Sequence, residues 1–141
     1  MRATYSKLIA AGIFATFCTG LIIAQEPWAS TKEVMNSLTI PSSNALFNAG
    51  LEDENLTDEQ WLELKNQAFV LGESANLLMM PGREPVDDSG NADWKAAAVQ
   101  MLDAAKFAQE KIEARDLDGL TLEGSDKILQ SCTACHMKYF Q

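Results

Sequence analysis

Histidine is almost absent from this chain of 141 residues: His136 is the only one. That excludes any site built from two imidazoles and leaves acid–base chemistry short of its usual residue. Cysteine is nearly as scarce, with three in all, so a disulfide framework is not expected. Basic charge is short too: 11 lysines and arginines stand against 20 aspartates and glutamates, a formal net charge of −9. An acidic protein of this kind is repelled by nucleic acid and by anionic lipid surfaces. Its charge either steers it to a basic patch on a partner protein or serves solubility alone. Sustained strand-like alternation, internal repeats and low-complexity tracts are not evident in the sequence. With 47% hydrophobic residues, the chain is long enough for one core and too short for two full-sized domains.

The beginning of the chain reads differently from the rest. Arg2 and Lys7 precede an uncharged apolar run from Leu8 to Ala24, which ends at the polar Gln25 and Glu26 and at Pro27. This is the pattern of an export leader over residues 1–24, cleaved near Ala24, with a mature domain over 25–141. The run is a little shorter than the roughly 20 residues a spanning helix needs, and an uncleaved membrane anchor is the alternative. Cys18 lies inside this run, after the bulky Phe17, and is read as inert and removed with it.

Four segments of helical periodicity follow, joined by short polar or glycine-containing loops. Ser30 and Glu33 form a capping box ahead of Val34, Met35 and Leu38, and Pro41 is expected to kink or interrupt this first helix before Leu46 and Phe47. Thr57 and Gln60 form a second box, after which Trp61, Leu64, Ala68, Leu71, Ala75 and Leu78 recur at helical spacing. The break from Pro81 to Gly90 precedes a third helix marked by Trp94, Ala97, Ala98, Met101, Ala105, Ala108 and Ile112. The fourth follows the stretch from Asp116 to Gly119, with Gly124 as a late start, and carries Ile128, Leu129, Cys132, Cys135, His136 and Tyr139 along one side. Short connections favour antiparallel neighbours, so the expected fold class is all-α, an antiparallel four-helix bundle.

Residues 132–136 read Cys-Thr-Ala-Cys-His. This is the spacing by which two thiols add to the vinyl groups of a haem while the next residue ligates iron. On a helix the two cysteines share a face, so both reach one edge of a porphyrin with the imidazole beside them. A zinc site would need further ligands, and outside the leader there is no other cysteine or histidine. A thioredoxin-like dithiol belongs at the start of a helix after a strand, not at the end of an all-helical chain. One covalent haem c near the C-terminus is therefore expected, on Cys132 and Cys135 with His136 as axial ligand. An export leader fits, since such haem is joined to an exported chain with reduced thiols. Only five residues follow His136, so any sixth ligand comes from upstream and is not a histidine.

At this point the chain, over about residues 31–140, resembles the cytochrome c prime family, the class II cytochromes c. The resemblance rests on Met35 in the first helix, Trp94 at the start of the third, and Cys132, Cys135, His136 and Tyr139 in the fourth. It implies a four-helix bundle, often a homodimer through its first two helices. In six-coordinate relatives a methionine of the first helix ligates iron, and Met35 occupies the matching position. In five-coordinate relatives an apolar side chain at that place blocks the distal face. The family often has an arginine after the aromatic that corresponds to Tyr139, whereas this sequence has Phe140.

Two functions follow from the state of the sixth position. With Met35 bound, the chain is a periplasmic electron carrier. With Met35 as a mere wall, it is a five-coordinate haem protein binding a diatomic gas such as NO or CO. No catalytic constellation stands beside the motif, and an enzyme is not expected. Met79, Met80 and Met101 are read as packing, as are Trp61 and Trp94, while Arg83 could pair a haem propionate.

Overall fold

A computed structural model describes residues 26–84 and 91–139. The expected leader over 1–24 lies outside the described residues, as do Gln25, most of the polar break before the third helix, and Phe140. The described residues form helices and loops with no strand. The elements are α1 (Thr31–Val34), a π-helical turn π1 (Met35–Thr39), α2 (Ile40–Phe47), α3 (Asp58–Leu78), α4 (Asn91–Glu113), α5 (Leu117–Gly119), a second π-helical turn π2 (Leu120–Gly124) and α6 (Ser125–Tyr139). None among them is long and apolar enough to cross a membrane.

Both capping boxes are formed as the sequence predicts. Ser30 accepts from the Glu33 amide while the Glu33 carboxylate accepts from Ser30, and Thr57 and Gln60 do the same at the head of α3. Each box satisfies two of the amides that a helix start leaves without partners. Thr57→Ala removes one such acceptor on an exposed helix start. It should cost about 1 kcal/mol, read as a lower denaturation midpoint with an unchanged slope in urea.

Of the two expectations for Pro41, a kink or an interruption, the structure excludes the interruption. Helix runs on from α1 through π1 and α2 to Phe47. Proline lacks the amide of a regular helix and crowds the carbonyl one turn back. Here the widened turn just before it absorbs the misfit: the Ile40 amide donates to the Met35 carbonyl, five residues back.

The fourth segment also differs from its expected start at Gly124. It begins at Leu117, because Asp116 caps it by accepting from the Gly119 amide at 2.9 Å. Gly124 closes π2 instead. Lys111 donates to the other Asp116 oxygen at 2.8 Å, and this bond, with that from Gly119, holds the Asp116 carboxyl below the usual carboxylate range. Arg115 takes a left-handed φ of 53°, which turns the chain out of α4 within three residues.

The apolar stripes read from the sequence are the buried ones. Leu71, Ala75 and Leu78 of α3 meet Ala98, Met101, Ala105 and Ala108 of α4 in one core, with Leu46, Leu120 and Ile128 closing it from the flanking segments. A side chain at Gly72 would touch the Ala105 methyl at 3.5 Å, so small residues on both helices set a close approach. Helix α3 packs mainly on α4, α4 packs on α6, and the first segment lies on α3. That segment meets α6 mainly through α2, not through α1 or π1. A seam is thereby left between the start of the first segment and the end of the last.

Hydroxyls also enter the core, which the periodicity did not indicate. Thr39 donates to Ser74 at 3.0 Å, and Ser74 donates to the Leu71 carbonyl at 2.7 Å. Because each is bonded, their burial carries little of the usual polar penalty.

Candidate functional site

The seam between α1–π1 and α6 is a narrow crevice. It is lined by Thr31 and Met35 from the first segment, Leu78 from α3, Trp94 and Met101 from α4, and Cys132, Cys135 and His136 from α6. Met35 and the three motif residues are thus brought together across about a hundred residues of sequence. Its present volume is about 10 Å³, roughly what one water needs.

Each lining residue arrives for a local reason. Cys132 and Cys135 sit one turn apart on α6, in register with the buried Ile128 and with Tyr139, so their face turns inward; Cys135 is buried and Cys132 half-buried. His136, one residue on, falls at the edge of that face and is exposed while still lining the crevice. Leu129, expected on the same side, is 57% exposed, because one step from Ile128 rotates it out of the core. Trp94 donates its indole N–H to the Leu78 carbonyl at 2.7 Å and meets the Tyr139 ring edge-on at 5.4 Å. These contacts make a rigid wall. Lys138 pairs with Asp93 across the mouth of the same wall.

Neither cysteine is in a disulfide. Burial pushes both thiols up from their ordinary range, Cys135 further by the neighbouring Cys132. A redox dithiol needs the opposite shift. Among the described residues no three His, Cys, Asp or Glu side chains come together as a metal-binding group. Cys132, Cys135 and His136 all line the crevice. A single zinc ion needs convergence. A porphyrin takes thiols at its edge and an imidazole at its centre. Two free thiols three residues apart and the following imidazole, beside apolar walls and two thioethers, are residues whose chemistry fits a covalently held haem.

Met35 heads π1 and is half-buried against the core. Met101, read from the sequence as packing, also lines the crevice. It is 1% exposed, and its sulfur lies 4.0 Å from the Ser74 hydroxyl, so it is the more enclosed of the two thioethers. A small residue stripe around it on α4 gave no sequence signal for that position. Met79 and Met80 line no part of the crevice. Trp61 is in the core. Arg83 is buried, and it lines a different cavity. No family model, curated protein or solved structure matches the chain, and the functional reading rests on the residues themselves.

Proposed function

We propose that this chain is an exported mono-haem c-type cytochrome, an antiparallel four-helix bundle of the cytochrome c prime kind. Cys132 and Cys135 would hold a haem c covalently, His136 and Met35 would ligate its iron, and the protein would carry electrons in the periplasm. The observation that carries the reading is the crevice shared by Met35 and the Cys-Thr-Ala-Cys-His motif.

When bound, haem supplies a one-electron iron couple whose potential the axial ligands and the surrounding dielectric tune. The chain's own residues have separate tasks. Cys132 and Cys135 fix the orientation of the macrocycle covalently. His136 would donate a nitrogen to the iron, and Met35, a soft neutral donor, would favour the reduced state. Leu78, Trp94 and Met101 would keep water from the crevice. Two ligands held by rigid helices would limit rearrangement when the iron changes charge. The acidic surface suits docking to a partner with a basic patch, and the first two helices suit a homodimer.

The apolar lining also favours the second reading, a five-coordinate haem binding NO or CO, because such gases need no hydrogen-bond donor to enter. The absorption spectrum of the purified protein, oxidised and then reduced, separates these. A Soret band with a sharp reduced α band is expected for the carrier. High-spin bands in both states favour the gas binder, and no haem absorbance at all would sink both.

A further inference from the structure

Leu129 is the large aliphatic side chain of α6 that the fold leaves outside: it is 57% exposed, while its neighbour Ile128 is fully buried. It takes no part in the core cluster. Its place on the helix is set by the residues that follow it. His136 comes seven residues later, so the two differ by about 20° around the helix axis and lie about 10 Å apart along it. Cys132 comes three residues later, close to one turn, which brings the two Cβ atoms to about 5–6 Å. Leu129, Cys132 and His136 therefore share one edge of α6.

That edge is turned toward the first segment. The opposite edge is fixed by Lys127, whose Nζ lies 4.9 Å from the Phe107 ring centroid, and by Lys138, which pairs with Asp93. Both partners belong to α4. On Leu129's own side, Cys132 and His136 line the crevice together with Thr31 and Met35 of the first segment. Leu129 itself lies outside the crevice lining, one turn from Cys132 toward the start of the helix. Within that turn the other large aliphatic side chain is Ile128, and the core holds it.

A macrocycle joined to Cys132 has its edge one sulfur atom from the helix surface, within reach of a side chain one turn away. We infer that Leu129 is a haem-contact residue, covering the porphyrin edge beside Cys132 and keeping water from it. The inference rests on the haem reading above and adds to it a residue outside the Cys-Thr-Ala-Cys-His motif. An apolar cover at that edge lowers the local dielectric, which disfavours the more highly charged oxidised iron.

The test is the reduction potential of the purified full-length protein, measured by spectroelectrochemical titration in the parent, Leu129→Gln, Leu129→Met and Leu62→Gln. Glutamine and methionine are about as good helix formers as leucine, so the helices are kept. Leu62, on α3, is 59% exposed and serves as the surface control. Leu129→Gln should bring a polar amide and water to the haem edge and raise the oxidised-to-reduced ratio at a fixed applied potential about threefold. Leu129→Met and Leu62→Gln should stay at the parent value. An unmoved potential in Leu129→Gln, or an equal shift in Leu62→Gln, would overturn the inference and leave Leu129 a surface residue, with the haem reading intact. A parent that carries no covalent haem would overturn both.

Discussion

Replacing Cys132 and Cys135 together by alanine should leave a folded protein with no covalent haem. The two thioethers are the only attachment that the sequence after the leader offers, since it has no other cysteine. The substitution is structurally mild. Cys132 is half-buried and Cys135 is buried at the crevice, and neither is in a disulfide whose loss would loosen the fold. Alanine is also the best helix former, so α6 is kept. Haem staining after denaturing electrophoresis should vanish in the double variant and persist, weakened, in each single one. Circular dichroism should report helix close to that of the parent. Staining that survives in the double variant would refute the covalent assignment outright.

Met35→Leu should convert a low-spin cytochrome into a high-spin one. A thioether is a sixth ligand strong enough, with His136, to keep the iron low-spin at neutral pH, and it raises the reduction potential. Leucine has a similar volume and no donor atom, so packing against α3 and the core should change by less than about 1.5 kcal/mol. The reduced variant should bind carbon monoxide faster and sit at a lower potential. Because Met101 also lines the crevice, Met101→Leu is the necessary companion. It should leave the spin state unchanged if Met35 is the ligand, and should take over the effect if the more enclosed sulfur is the donor. A parent already high-spin, or one whose spectrum neither substitution alters, makes both methionines packing residues and moves the assignment to the gas-binding reading.

The contrast between these two predictions has a physical basis. Cysteine pair and histidine are neighbours on a single helix, and helical periodicity alone puts them on one side. Met35 and Met101 lie on other segments, and their access to α6 depends on how three helices pack. Burial of Arg83 is of the same kind. In sequence it is an arginine in a loop, and it is enclosed because the turn at Gly82 and the first segment fold over it.

Local rules were sufficient for the all-helical class, the stripes of α3 and α4, and the capping boxes Ser30–Glu33 and Thr57–Gln60, since each is a relation among residues within one or two turns. The placing of Cys132, Cys135 and His136 on one helix is equally local. What tertiary structure decided was where local rules conflict or fall silent. Pro41 opposes helix, but the widened turn from Met35 to Thr39 carries the helix through it. Gly124 suggests a start, but Asp116, held by Lys111, caps the segment earlier. Leu129 is apolar yet exposed, while Thr39 and Ser74 are polar yet buried, because burial follows a residue's angle about its helix and the partners it meets there. The crevice itself belongs to this second class: its residues are set by sequence one helix at a time, and only packing of the first segment beside α6 makes them one site.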